Sequence, residues 1–330
     1  MHKQTFSTKA MVEAGLISTM MVAVFLLTVN LPMFSGLSLF ILPIPVAVLC
    51  LRHNYSVAAG AVFVSAVLSG MLYSPVSAFT SSAVYGLTGL TLGYCIKTGK
   101  EVWTAIAMLA ASAAAAIIID MAVVIAFVYN SGFTEFVNQN LQIIKDSMQQ
   151  YYEYYRQAGA SESQLQQLQQ SMGILTEDYV IQMLPISLAG AAFGFALLCY
   201  SAARAIMRRL KYDIKPIPPV SEIYINNRAG TFILVFAVIG AVMSKYGIEG
   251  GRNMAGASLL LAQMVFTIDG VALAAYYLRR KLNMGRLLAF LVILLTVSSA
   301  GFIMVYVLLG LSDMIFDFRK LDPFRRKIAH

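Results

Sequence analysis

Long apolar runs separated by short polar breaks dominate the first part of the chain. They cover about 10–30, 37–51, 55–72, 77–96 and 102–129, and further runs follow at about 180–206, 229–243, 254–278 and 287–315. Most approach the roughly 20 residues that a helix needs to cross a bilayer. The early breaks are so short that consecutive helices are expected to pack as antiparallel neighbours. The pattern predicts an all-α, polytopic transmembrane helical bundle of about eight to ten spans.

The polar segment 131–178 interrupts this pattern between the fifth and sixth runs. Apolar residues recur there at three- and four-residue spacing from Phe136 to Tyr155, as in an amphipathic helix. Gly159 breaks that helix, and Ser161 with Gln164 forms a capping-box sequence for a second, shorter one. We therefore predict a helical hairpin. Its four tyrosines, at 151, 152, 154 and 155, suit either a lid over a ligand or an aromatic anchor at the membrane surface.

Breaks in composition divide the chain into three parts. Residues 1–210 are expected to form a six-helix bundle that carries the insertion, 211–228 a basic, proline-rich linker, and 229–330 the C-terminal membrane helices with a basic tail. The last apolar run, 287–315, is long for one span and has a weak point at 298–301. It is therefore expected to form either a single span or a hairpin of two short helices.

Composition and charge support a membrane protein. The chain is 59% hydrophobic and only 12% charged, with a net charge of +8, whereas a soluble domain is about 25% charged. The basic residues cluster in short loops beside apolar runs, which argues for topology and anionic lipid headgroups rather than nucleic acid. The same rule predicts a cytoplasmic N terminus and, if the last run is a hairpin, a cytoplasmic C terminus. The insertion, with six acidic and two basic residues, then lies outside.

Glu13 and Arg52 are predicted to form an ion pair on the cytoplasmic side, since each lies near that end of its apolar run. The simpler alternative is that Glu13 is shallow enough to reach water. Pro43 and Pro45 must interrupt the hydrogen-bond ladder of the second run. The carbonyl groups that they free could bind a ligand, as broken helices do in transporters, or the prolines could only shape the helix.

Asp120 and Asp269 lie inside apolar runs, where carboxylates usually face the bundle interior. Each is a candidate for ligand contact, with a structural hydrogen bond as the alternative. Ala10 and Ala14, four residues apart, predict close helix packing, either within the chain or against a partner.

The remaining residue types argue against catalysis and bound metal. The three cysteines lie singly in apolar runs, the three histidines lie at the chain ends or in a loop, and there is no glycine-rich ATPase loop. We therefore expect no enzyme activity, metal or cofactor.

Four segments carry a resemblance to a known family. They are 12–15 (VEAG), 42–45 (LPIP), 51–53 (LRH) and 310–320 (GLSDMIFDFRK). Together they resemble the YybS-like family of bacterial multi-pass membrane proteins, and the resemblance extends over nearly the whole chain. It implies a location in the bacterial cell membrane and assigns no activity.

The first six runs also resemble the S components of energy-coupling factor transporters. That likeness rests on Ala10 and Ala14, which stand where S components present small residues to a coupling partner, and on the short second run with its prolines. It implies a six-helix bundle with an outward pocket, a small-molecule ligand, and a transmembrane coupling subunit with ATPases as partners. The insertion and the spans after Arg208 depart from a solitary S component, and no residues point to a particular substrate. The alternative is a membrane scaffold or regulator that contacts cytoplasmic or envelope proteins through its basic segments.

Overall fold

The computed structural model describes residues 7–31, 40–129, 132–212, 214–222, 227–248, 250–297 and 300–321. Within these ranges the regular structure is entirely helical, which confirms the predicted all-α class. The α-helices are α1 (Thr8–Asn30), α2 (Pro43–Arg52), α3 (Tyr55–Leu72), α4 (Pro75–Lys97), α5 (Val102–Val124), α6 (Phe133–Gln157), α7 (Glu162–Ile174), α8 (Glu177–Arg209), α9 (Asn227–Lys245), α10 (Gly251–Arg280), α11 (Arg286–Val297) and α12 (Ala300–Phe316).

The helices form two compact units, with the boundary between Pro216 and Ile217. We call them the N-terminal unit and the C-terminal unit. The boundary falls inside the predicted linker, 211–228.

In the N-terminal unit, α4 is the central helix and packs against α2, α3 and α5. Its sequence suits this position because its buried residues are largely small or hydroxyl-bearing. A Cβ atom built on Gly89 would lie 2.6 Å from Val46 Cβ, and one built on Gly93 would lie 2.6 Å from Cys50 Cβ. Small residues therefore bring the backbones of α2 and α4 into close contact, as is common between helices in membranes.

Two contacts of buried hydroxyl groups join helices of the same unit. Ser18 Oγ on α1 donates to the Ala61 carbonyl oxygen on α3 at 3.0 Å, and the Ser65 and Tyr85 hydroxyls lie 3.0 Å apart between α3 and α4. An unpaired polar group costs free energy in an apolar medium, so these pairs fix how α3 faces its neighbours.

The predicted helical hairpin is confirmed as α6 and α7. Ser161 and Gln164 form the full capping box at the start of α7. Gly159 ends α6 with a φ of +80°, a conformation that favours glycine. On α6, Val137 and Leu141 are buried, whereas the tyrosines at 151, 154 and 155 are exposed. The choice between lid and anchor stays a prediction.

In the C-terminal unit, α10 packs against α9 and α12 and against a short 3₁₀ turn, Val220–Glu222. A Cβ atom on Gly270 would overlap the Tyr306 carbonyl oxygen, and one on Gly310 would overlap the Phe266 carbonyl oxygen. The two glycines therefore allow the backbones of α10 and α12 to touch.

Five of the described helices are long and apolar enough to cross a membrane, and a bent pair of helices makes a sixth if it counts as one span. This is fewer than the eight to ten expected. The second run yields a ten-residue helix, α9 is also short in its apolar part, and α4 carries many hydroxyl and glycine residues. The bent pair comes from the last run, which breaks between α11 and α12 with a bend of 111°. This angle is intermediate between those of one straight span and a closed hairpin.

Candidate functional site

A small polar cluster joins α1 to the end of α2. Arg52 Nη1 lies 3.6 Å from Glu13 Oε2, and His53 Nε2 lies 3.0 Å from the same oxygen. All three side chains are only partly exposed, between 16% and 45%. His53 was not predicted, although it directly follows Arg52. The cluster can hold the two helix ends together while staying close to solvent.

The two alanines of α1 lie on the side that packs against the unit's own core. Ala10 is buried, and Ala14 packs against a cluster formed by α1, α2, α3 and α4. Because Ala10 is buried within the chain, it packs against the unit's own core rather than contacting a partner. Ala14 keeps partial exposure.

Pro43 and Pro45 occupy the first turn of α2 and are both buried. A proline at that position loses no helical hydrogen bond because the first amide groups of a helix have no partner within it. The Pro43 carbonyl oxygen lies 2.7 Å from where a Cβ on Gly89 would stand. The prolines therefore shape the contact between α2 and α4. They do not line the apolar groove that runs between α3 and α4.

An apolar groove of about 700 Å³ runs between α3 and α4. It is open along one side, and its walls are almost wholly aliphatic and aromatic. Its main lining residues are Phe63, Val67, Phe79, Ala83, Leu87 and Ile119. Such walls can accept an apolar molecule or the apolar part of an amphipathic one.

Asp120 directly follows a groove-lining residue on α5, Ile119. Its side chain is partly exposed, and it makes no hydrogen bond or ion pair with the residues that the structure describes. The carboxylate therefore lies one residue along the chain from the part of the groove wall that α5 forms. Its role in ligand binding stays a prediction.

The surroundings of Asp269 fit the structural alternative rather than ligand contact. It is fully buried on α10, where its Oδ1 lies 2.5 Å from Arg319 Nη2. The same guanidinium contacts Asp313 Oδ2 on α12, at 2.8 Å from Nε and 2.7 Å from Nη2. All three side chains have no exposed surface. Asp269 is thus one side of a buried ionic cluster and not an open ligand site.

Arg319 reaches the cluster from the segment that follows α12. Its Nη1 also donates to the Ser221 carbonyl oxygen at 3.4 Å, in the 3₁₀ turn. Asp313 Oδ1 has no hydrogen-bond partner among the described residues. Because a buried charge needs a partner, one arginine connects α10, α12 and the 3₁₀ turn. Sequence reasoning placed Arg319 in a basic tail and missed this role, since the partner carboxylate on α10 lies 50 residues away.

The described part of the chain contains no group of three histidine, cysteine, aspartate or glutamate residues that could hold a metal ion. What the geometry offers is an apolar groove in one unit and a paired charge cluster in the other.

Fold and site together define the class: a polytopic, helical membrane protein with charged groups paired inside it. The chain belongs to the family described as predicted membrane protein (DUF2232), whose model matches residues 19–314. It is also similar to the Bacillus subtilis (strain 168) protein described as uncharacterized protein YybS. The two are 24% identical over 329 residues, and the match covers 94% of this chain and 98% of the relative. No solved structure matches the chain.

Proposed function

We propose that the chain is a membrane-embedded component that binds a small apolar or amphipathic molecule. The groove between α3 and α4 carries this proposal, because its volume of about 700 Å³ lies within the roughly 300–1,000 Å³ typical of ligand sites. Phe63 and Phe79 offer aromatic surface on its two walls. Asp120, next to Ile119 on α5, would meet a polar end of the ligand. The proposed activity is binding rather than catalysis.

Uptake would require energy from partner subunits, as the likeness to transporter S components implies. Helix α1 offers a surface for such a partner, since Met11, Val12 and Leu16 are all more than half exposed. Ala14, partly exposed beside them, would sit at the edge of that contact. Co-purification from cells tests this: a coupling subunit and ATPases should be recovered with the wild-type chain and lost with Leu16→Glu, while the exposed Val64→Glu on α3 should retain them.

The proposed topology places both termini in the cytoplasm of a bacterial cell and the α6–α7 hairpin outside. The clustered basic residues after α4, α8 and α10 support it. The native cysteines are buried, so introduced cysteines can be labelled selectively. Ser163→Cys on α7 should react with an impermeant maleimide in intact cells, whereas Arg209→Cys at the end of α8 should react only after lysis. The reverse pattern would overturn the topology.

Ligand binding is tested by thermal unfolding of the purified chain against a panel of apolar and amphipathic metabolites. A ligand at about 100 times its dissociation constant stabilises the folded state by about 2.7 kcal/mol. Ala83→Trp should abolish the shift because indole would fill the groove. Ala115→Trp, on the exposed face of α5 and outside the groove, is the matched control. A hit that shifts all three proteins equally would place the site elsewhere.

A scaffold or regulatory role is the second candidate. It is favoured by the exposed basic end of α8, where Arg208, Arg209 and Lys211 face solvent. Recovery of cytosolic proteins that depends on these residues, with no ligand response, would favour it.

A further inference from the structure

A second, smaller cavity lies at the end of α4 in the N-terminal unit. It has a volume of about 160 Å³, and its walls include Gly99, Lys100, Tyr200 and Lys215. This volume is well below the roughly 300–1,000 Å³ of sites for whole drug-sized ligands. The cavity can therefore hold one small group rather than an entire large molecule.

Backbone geometry fixes the wall formed by the end of α4. The Gly99 amide donates to the Ile96 carbonyl oxygen, and the Lys100 amide donates to the Cys95 carbonyl oxygen. This is the Schellman arrangement, with Gly99 at a φ of +62°. It ends α4 sharply and brings Lys100 to the cavity.

The opposite wall is fixed by the extended segment that follows α8. The Tyr200 hydroxyl donates to the Lys215 carbonyl oxygen at 3.0 Å, and Lys215 Nζ donates to the Gly99 carbonyl oxygen at 3.2 Å. Ile214 is buried beside them. The side chain of Lys215 is therefore held across the cavity, where it can still donate two further hydrogen bonds.

Arg204 adds a third cation next to the cavity. It lies one helical turn beyond Tyr200, a residue of the cavity wall, on α8. Its Nε is buried and has no hydrogen-bond partner among the described residues. A buried guanidinium donor without an acceptor is costly, and an anionic oxygen would satisfy it.

The charges around the cavity are not balanced by ion pairs within the described chain. Lys100, Lys215 and Arg204 make no salt bridge with a carboxylate there. Glu101, next to Lys100, is exposed and directly precedes α5. Lys97 and Lys100 also lie 5.3 and 5.9 Å from the Tyr55 and Tyr94 ring centres, at the kind of aromatic girdle found where a membrane meets water.

We propose that this cavity binds a phosphate group, with Lys100 and Lys215 on its walls as donors. The phosphate belongs either to the headgroup of a membrane phospholipid or to a soluble phosphate compound, since both present the same anionic oxygens. Arg204, one turn beyond the wall residue Tyr200, adds a third positive charge with an unsatisfied buried Nε.

The test measures thermal unfolding of the purified full-length chain at constant ionic strength. One arm titrates inorganic phosphate against chloride, and the other titrates phosphatidic acid in mixed micelles against an uncharged diacylglycerol. Saturable stabilisation by inorganic phosphate assigns a soluble source, and stabilisation by phosphatidic acid alone assigns a lipid. No stabilisation in either arm would overturn the proposal.

Variants then separate a built site from general attraction of anions. Lys100→Gln, at an exposed turn, should weaken the apparent affinity about tenfold, because a charge-assisted hydrogen bond contributes roughly that factor. Lys100→Gln with Lys215→Gln should weaken it about a hundredfold. Arg208→Gln with Arg209→Gln removes the same charge from exposed positions at the end of α8 and should leave affinity within about twofold. Equal losses in the two double variants would show diffuse attraction and contradict the site.

Discussion

The two units differ in whether their clustered charged groups are exposed or buried. In the N-terminal unit the ionic cluster of Glu13, Arg52 and His53 is partly exposed at helix ends, while the apolar groove lies open between two helices. In the C-terminal unit, Arg319 and two carboxylates fill a fully buried position instead. Both units use glycine for close helix contact, so the difference lies in what occupies the space between helices. An open apolar groove suits binding, whereas paired buried charges fix one arrangement of the helices.

Removal of the central cation of the C-terminal unit should have the largest effect. Arg319→Met should destabilise that unit by about 3–5 kcal/mol, because two buried carboxylates lose their partner. The protein is unfolded in detergent, and the rate of proteolysis in the segment between α9 and α10 reports the loss of stability. Lys320→Met removes the same charge from an exposed neighbour and should cost much less. Equal effects of the two substitutions would mean that the buried cluster is not what stabilises the unit.

Close packing in the N-terminal unit should give the next largest effect. Gly93→Ala places a methyl group 2.6 Å from Cys50 Cβ, and overpacking of this kind costs about 1–3 kcal/mol. Gly194→Ala on α8 is the matched control, since no heavy atom beyond the neighbouring backbone of its own helix lies within 4 Å of the new methyl group. Alanine there should be neutral or stabilising by up to about 1 kcal/mol. Chemical unfolding of the two variants measures the difference, and a Gly93→Ala protein as stable as the control would remove the argument for backbone contact.

A loss of similar size is expected from the buried hydroxyl pair of the same unit. Ser65→Ala leaves the Tyr85 hydroxyl without its partner and should cost about 1–3 kcal/mol. The double variant Ser65→Ala, Tyr85→Phe removes both polar groups and should recover part of that loss. Thermal unfolding of the single and double variants checks this, and a double variant less stable than Ser65→Ala would contradict it.

The cluster of Glu13, Arg52 and His53 should have the smallest effect on stability and the strongest dependence on salt. Glu13→Gln weakens contacts with Arg52 and His53 that lie close to solvent, where attraction between charges is readily screened. The stability difference from wild type should therefore shrink between low and high ionic strength. A difference that is larger than that of Arg319→Met, or that salt leaves unchanged, would reverse the contrast between the units.

Local features of the fold were predictable because their signals are local. Apolar runs located most helices, and the capping box at Ser161 and Gln164 is visible within four residues. The spacing of Ala10 and Ala14 on α1 indicated close packing. The contacts of α4 were not visible in its hydroxyl-rich sequence, and only the assembled unit shows that it packs against α2, α3 and α5.

The candidate sites were harder to predict because they join distant segments. Arg319 reads as part of a basic tail until Asp269, 50 residues earlier, is placed beside it. His53 looks like a loop residue until Glu13 is brought to 3.0 Å. Ala10 illustrates the converse, because a small residue on a helix predicts a close contact but not which surface makes it.

Competitive photolabelling tests directly whether the groove between α3 and α4 is a saturable binding site. An apolar diazirine probe is added to the purified chain with and without excess unlabelled probe, and labelled peptides are mapped. We predict that competition removes label from Phe63 and Phe79 while label on Phe232 of α9, which is exposed outside the groove, stays unchanged. Equal competition at all three positions, or none at any of them, would show ordinary partitioning at a lipid-facing surface and would contradict the account.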